Sequence, residues 1–364
     1  MSIKEQHGGN IYKKAKELGI PQEEILDFSA NINPLGLPGH VRKAMEEAID
    51  GTINYPDPEA SLLREMIGNY DAIPPDYVVC GNGGADMLYR LAYGLRPKKI
   101  LLPVPSFSEY EEAFKAAGGE FVWYEMGEDL TIREDILDRI TGEIDLLVVC
   151  NPNNPTGILT DKGLLIRMME KAAGTGTRVL IDECFLEICR EWEDYSLIPD
   201  LDRFPNGIIL KSFTKLFAIP GVRLGYTLCS DQAVNDRLTL AGQAWPVSYI
   251  AQKAGEAACS DPEYRKIVVD LVSKENAFMK SAMEKMPVRL YDGRANYIFF
   301  RAPGITDLDK RLEAFGIMIR NCSNYRNLGP DYWRVAVKSH QENIQLLQAL
   351  SKVVEEKENG GNNG

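Results

Sequence analysis

Ser212-Phe-Thr-Lys215-Leu-Phe-Ala-Ile-Pro-Gly-Val-Arg223-Leu-Gly-Tyr226 sets one lysine among apolar neighbours, with a serine three residues before it and an arginine eight residues after it. An amine that has to be unprotonated for nucleophilic chemistry needs burial or nearby cations to lower its pKa. Phe213, Leu216, Phe217 and Ile219 supply such surroundings. Ser212 and Arg223 are of the kinds that grip a phosphate beside the amine. Taken alone, the same pattern describes two surface cations on a loop.

Three segments upstream bear on the choice. Val179-Leu-Ile-Asp182-Glu183 is a β-rich run ending in an acid, which puts a carboxylate at the carboxyl end of a buried strand, where open α/β sheets carry their sites. Such an acid is also a common helix cap. Leu147-Val-Val-Cys-Asn151-Pro-Asn-Asn154-Pro-Thr-Gly157 reads as a strand followed by a turn rich in Asn, Pro and Gly. Val78-Val-Cys-Gly81-Asn-Gly83-Gly84-Ala-Asp86 runs from a short apolar strand into an apparent helix from Met87 to Leu95. Glycines there let backbone amides approach a phosphate, and a helix start adds partial positive charge, although most glycine clusters are tight turns.

From Tyr77 to Tyr226 short β-branched runs alternate with amphipathic helical stretches. Strands are expected at 77–80, 100–102, 121–124, 146–150, 179–182, 208–210 and 225–228. This alternation predicts an α/β domain whose mostly parallel mixed sheet is flanked by helices on both faces. Helical patterns follow at 247–259 and 264–285. Beyond Met286 the texture changes to a smaller α+β unit, with strands at 288–291, 297–301, 318–320 and 333–337 and helices at 306–315 and 341–355. Lys357 to Gly364 has no apolar side chain and is expected to be disordered.

The 364 residues suffice for two domains with a sizeable core. No stretch reaches the apolar length of a membrane helix, and Met1 to Asn10 lacks the basic and apolar regions of a signal peptide, so a soluble cytoplasmic protein is expected. Seven cysteines are dispersed without any C-x-x-C, which argues against a disulfide framework and a zinc site; no metal is expected. A formal charge of -12 disfavours nucleic acid or an anionic membrane as partner. An anionic substrate then requires a local cluster of cations.

Order and spacing of these motifs resemble the fold-type-I pyridoxal-5'-phosphate enzymes of the aspartate aminotransferase superfamily. The resemblance implies a large cofactor-binding domain at 51–285 and a discontinuous small domain from 1–50 and 286–364. It makes Lys215 the Schiff-base lysine and Asp182 the partner of the pyridine nitrogen. Gly83, Gly84, Ser212 and Arg223 then hold the cofactor phosphate, Phe107 in Pro105-Ser-Phe-Ser-Glu-Tyr110 stacks on the ring, and Asn154 donates to the ring oxygen. Tyr55 in Asn54-Tyr-Pro-Asp-Pro58 matches a tyrosine that reaches the cofactor phosphate of a neighbouring subunit, which implies a homodimer with shared sites.

Within that superfamily, His7-Gly8-Gly-Asn10, Leu26-Asp-Phe-Ser-Ala-Asn31-Ile-Asn-Pro-Leu-Gly36, Ile319-Arg320-Asn-Cys-Ser-Asn-Tyr325 and Tyr332-Trp-Arg334-Val-Ala-Val resemble the L-threonine-O-3-phosphate decarboxylase family of cobalamin biosynthesis, over about residues 7 to 350. The resemblance implies substrate contacts from His7, Gly8, Asn31, Asn154, Arg320 and Arg334, and decarboxylation of a phosphorylated amino acid. A histidinol-phosphate aminotransferase is the alternative. Those enzymes usually carry a tyrosine where this chain has Phe185, which weakens that reading, and Cys184 replaces their more common alanine. Preference for O-phospho-L-threonine over O-phospho-L-serine is not legible. On physical grounds, two arginines fourteen residues apart on neighbouring strands can converge on one anion.

Overall fold

The computed structural model describes residues 8–360, of which 356–360 are described by backbone only. His7 therefore lies outside the described residues, as do 361–364 of the expected tail. The last helix, His340–Gly360, extends into the start of that tail.

A seven-stranded sheet dominates, in the order Val78–Gly81, Gly225–Leu228, Gly207–Ser212, Arg178–Asp182, Leu146–Cys150, Lys99–Val104, Glu120–Glu125. Only Gly225–Leu228 runs against the rest. All seven strands coincide with those expected, to within two residues at either end. Side chains alternate between faces along each strand. Leu101, Leu147, Val149, Val179, Ile181 and Ile209 pack against the helices Ser61–Asp71, Lys162–Thr175 and Tyr249–Cys259. Ile100, Leu146, Val148, Leu180, Ile208 and Leu210 pack against Gly84–Leu95, Ser108–Ala116 and Gln232–Leu240. With both faces covered, the strands read as continuous apolar runs: every residue of Leu146–Cys150 is buried.

A four-stranded antiparallel sheet follows, ordered Arg320–Asn321, Tyr332–Ala336, Tyr297–Arg301, Arg289–Leu290. Its core of Phe300, Trp333, Leu346 and Leu350 takes in Phe28 from the N-terminal segment and Met279 and Met283 from the helix Pro262–Met283. That 22-residue helix is about 33 Å long. Val268 and Val272 near its start belong to the large core, so one helix spans both.

The single strand expected at 318–320 is two. Ile317–Met318 pairs in parallel with Leu26–Asp27, and Arg320–Asn321 pairs with Tyr332–Ala336. The N-terminal segment takes the first half as a partner, which sequence periodicity cannot reveal. Among the described residues no helix is long and apolar enough to cross a membrane.

Candidate functional site

Gly83 and Gly84, Phe107, Asn154, Asp182 and the Ser212–Lys215 turn lie at or just past the carboxyl ends of strands of the large sheet that run the same way, so the sheet gathers them at one edge. There a cavity of about 430 Å³ opens between the two sheets, lined by Lys215, Asp182, Asn154, Arg223, Arg320 and Arg334 among others. Gly8, Asn31, Gly84, Phe107 and Ser212 also line it.

Asp182 is at the floor, 6% exposed. Its Oδ2 accepts a hydrogen bond from Tyr110 Oη at 2.6 Å and its Oδ1 one from the Cys184 amide at 2.9 Å. Burial pushes this carboxyl's pKa up, while the Cys184 and Tyr110 bonds and the nearby Lys215 oppose that rise. Tyr110 is one helical turn beyond Phe107, and their rings meet edge to face at 5.6 Å.

Lys215 sits on a single helical turn, Phe213–Leu216, begun by Ser212, whose Oγ accepts from the Thr214 amide at 3.2 Å. Burial first and the nearby Arg334 cation second bring the lysine's pKa down to about 8. Its Nζ lies 5.5 Å from the centre of the Phe185 ring.

Gly83 has φ +88° and precedes the twelve-residue helix Gly84–Leu95. A Cβ there would come within 2.7 Å of the Arg223 guanidinium, so the missing side chain makes a cradle between a helix N-terminus and an arginine. Asp86 Oδ2 accepts the Asn82 amide at 2.9 Å and pairs with Arg90 at 2.9 Å, which braces the loop.

On the opposite wall, Arg320 and Arg334 are direct register partners across an antiparallel pair. Arg334 donates through Nη1 to Asn154 Oδ1 at 2.5 Å and through Nη2 to the Ser29 carbonyl at 3.2 Å. Its buried Nε has no hydrogen-bond partner among the described residues, and neither does Oδ1 of Asn31, a residue only 3% exposed. Unpaired buried polar atoms at a cavity wall are costly unless a ligand completes them. Arg320 donates to Asn324 Oδ1 at 2.8 Å, with its guanidinium 5.6 Å from the Tyr325 ring. Gly8 has no room for a side chain: a Cβ would fall 2.3 Å from the Ser29 carbonyl oxygen.

Most of the expected site residues meet in this one cavity. Gly83 and Tyr55 are not among the residues lining it, and His7 is outside the described residues; Tyr55 is 77% exposed and stacked on Trp245 at 4.3 Å. Asn154 spends its side-chain oxygen on Arg334 and Tyr325, whose hydroxyl donates at 3.1 Å, which leaves its amide nitrogen for donation into the cavity. Tyr110, Tyr325 and Ser29 were assigned no role from sequence. The three-residue step from Phe107 to Tyr110 is a signal for the first, since i and i+3 share a helix face.

The set fits a flat heterocycle bearing an aldehyde and a phosphate: an amine with a lowered pKa, a buried acid for a ring nitrogen, an aromatic wall and a glycine-arginine cradle. Fold and site define a pyridoxal-phosphate-dependent enzyme of fold type I. Residues 23–350 match the family model for aminotransferase class I and II, and the chain belongs to that family. It is 35% identical to the threonine-phosphate decarboxylase of Salmonella typhimurium, covering 96% of each chain. It is 30% identical to the histidinol-phosphate aminotransferase of Methanosarcina mazei, covering 94% of this chain and 92% of that one. The histidinol-phosphate aminotransferase structure from Clostridium acetobutylicum superposes with a TM-score of 0.86 at 28% identity, covering 90% of this chain and 99% of that one.

Proposed function

We propose that this protein decarboxylates O-phospho-L-threonine to 1-amino-2-propanol O-phosphate, the linker unit of the cobalamin nucleotide loop. The observation that carries the reading is the in-register pair Arg320 and Arg334, with Asn31 beside them, facing the cavity that holds Lys215. Two guanidiniums on adjacent strands suit a phosphate dianion.

Gly83, Gly84, Ser212, Arg223, Phe107, Asn154 and Asp182 would hold pyridoxal phosphate, which when bound would supply a sink for the electron pair left at the substrate's α-carbon. The chain's own residues do the rest. Asp182 would hold a proton on the cofactor's ring nitrogen, and Tyr110 holds that carboxylate in place. Arg320 and Arg334 fix the phosphate end and so rotate the amino acid until its carboxylate is the group presented for cleavage. Lys215, with an amine pKa near 8, exchanges protons readily at neutral pH and would serve as the proton donor to the α-carbon. His7 is proposed as a further phosphate contact, and Tyr55 as a contact to the cofactor phosphate of a second copy in a cytoplasmic homodimer.

A phosphate-recognising aminotransferase is the second reading, favoured by the similarity to histidinol-phosphate aminotransferases. Phe185 speaks against it, because it offers no hydroxyl to a ring oxygen. Turnover with and without 2-oxoglutarate separates the two. Activity on O-phospho-L-threonine without any keto acid supports the decarboxylase. Activity confined to histidinol phosphate with 2-oxoglutarate refutes it. O-phospho-L-serine lacks one methyl group, worth about 1 to 3 kcal/mol in an apolar pocket, so a preference for it is read from the ratio of the two kcat/KM values.

A further inference from the structure

A substrate held at both ends is cleaved at whichever α-carbon bond the two anchors present, so reaction choice depends on how rigidly the chain relates them. One anchor is the arginine pair and the other is the lysine turn, and they belong to different sheets. The segment from Asp27 to Asn33 joins them. Its first part is fastened to the arginine side: the Phe28 carbonyl accepts from the Ala336 amide at 2.8 Å, the Ser29 carbonyl from Arg334 Nη2 at 3.2 Å, and the Asn31 carbonyl from Asn296 Nδ2 at 3.1 Å.

Its far end is fastened to the lysine turn through Asn33, which is 2% exposed. The Asn33 amide donates to the Lys215 carbonyl at 3.3 Å. Its side-chain nitrogen donates to the Leu216 carbonyl at 2.7 Å and to Tyr264 Oη at 2.8 Å, while its Oδ1 accepts from the Leu35 amide at 2.9 Å. Tyr264 in turn donates to the Gly36 carbonyl at 2.9 Å and stacks on Phe217, two residues past the lysine, at 5.8 Å. Both side-chain donors and the acceptor of this buried amide are engaged, and two of its bonds end on consecutive carbonyls of the turn that carries the reacting amine.

We infer that Asn33 is a positioning residue that sets the lysine turn against the phosphate anchor and thereby selects the carboxylate bond over the α-hydrogen. This rests on the proposed decarboxylation and extends it to reaction specificity. The competing reaction has a defined outcome. Loss of the α-hydrogen as a proton to Lys215 leaves an electron pair beside the carbon bearing the phosphate. The Cβ–O bond then breaks, phosphate departs with that bond's electrons, and uptake of one water gives 2-oxobutanoate, ammonia and inorganic phosphate. No oxidant or reductant is needed.

The test compares wild type with Asn33→Asp and Tyr264→Phe, each loaded with pyridoxal phosphate and given O-phospho-L-threonine. Asn33→Asp keeps the shape and the acceptor but removes both side-chain donors. Tyr264→Phe keeps the ring stacking and removes only the hydroxyl. Carbon dioxide and 2-oxobutanoate are quantified together, beside thermal midpoints and calorimetric binding of inorganic phosphate by the cofactor-free protein. The expected result for Asn33→Asp is a kcat for carbon dioxide lower by about 10- to 100-fold, with the ratio of 2-oxobutanoate to carbon dioxide raised about tenfold over wild type. Tyr264→Phe shifts the partition in the same direction but less, with phosphate affinity retained. A wild-type product ratio in both variants, whether or not their rates and thermal midpoints fall, overturns the inference and leaves Asn33 a structural residue. No carbon dioxide from the wild-type protein overturns the decarboxylase reading and this inference with it.

Discussion

Lys215 illustrates how one residue's surroundings set its chemistry. Burial first and Arg334 second bring its pKa from the ordinary 10.5 down to about 8. Between those values the unfolded chain's lysine still holds a proton that the folded one has released. Stability of the cofactor-free protein therefore rises as pH goes from about 8 to about 10.5, and below pH 8 the full cost of the buried cation is present. Lys215→Met is expected to remove that slope and to stabilise the cofactor-free protein at pH 7 by on the order of 3 kcal/mol, while abolishing turnover and the visible absorbance of bound cofactor. Urea unfolding across pH and absorbance spectra check both halves. Tyr110→Phe leaves Asp182 with the Cys184 amide and no hydroxyl, so its pKa rises and fewer molecules carry the ion. A kcat lower by about tenfold with little change in KM, and a loss of about 1 to 3 kcal/mol in unfolding free energy, are the expected readings. Lys215, Asp182 and Arg223 were legible in the sequence because each lies close to the end or start of a recognisable strand. Tyr110 and Tyr325 were not, because their importance lies in partners 72 and 171 residues away.

At the scale of elements, the strands of the large sheet were legible because burial on both faces produces unbroken apolar runs. The split of the strand expected at 318–320 was not, since its cause is the arrival of Leu26–Asp27 as a parallel neighbour. That pairing is followed by a turn in which Asp27 Oδ1 accepts the Ser29 amide at 2.8 Å, the Ser29 hydroxyl at 2.6 Å and the Ala30 amide at 3.3 Å. Asp27→Ala is expected to cost about 1 to 3 kcal/mol in chemical denaturation and to raise KM, because the turn presents the Ser29 carbonyl to Arg334. The facing arginines were anticipated as a converging pair, and the register makes them immediate neighbours. Arg334→Lys cannot reach Asn154 and Ser29 together. Its KM for the phosphorylated substrate should rise by about tenfold or more, a loss of at least ~1.4 kcal/mol, with cofactor affinity measured by absorbance titration nearly unchanged.

For the whole molecule, the helix Pro262–Met283 and the Asp27–Asn33 segment tie the two sheets together. Tyr55, exposed and stacked on Trp245, stands outside that arrangement. If it serves a second copy, mixing inactive Tyr55 and Lys215 variants under subunit exchange restores part of the activity through hybrid dimers. Absence of any restoration in a mixture shown by native mass spectrometry to contain hybrids refutes shared sites. The central claim, that this cavity breaks the bond to the carboxylate and leaves the α-hydrogen alone, is tested most directly with O-phospho-L-threonine carrying deuterium on its α-carbon. Incubated with the holoenzyme without a keto acid, it is predicted to give one carbon dioxide per 1-amino-2-propanol O-phosphate, with the deuterium retained in the amine by mass spectrometry. Deuterium lost to solvent, with a keto product and no carbon dioxide, would contradict the account.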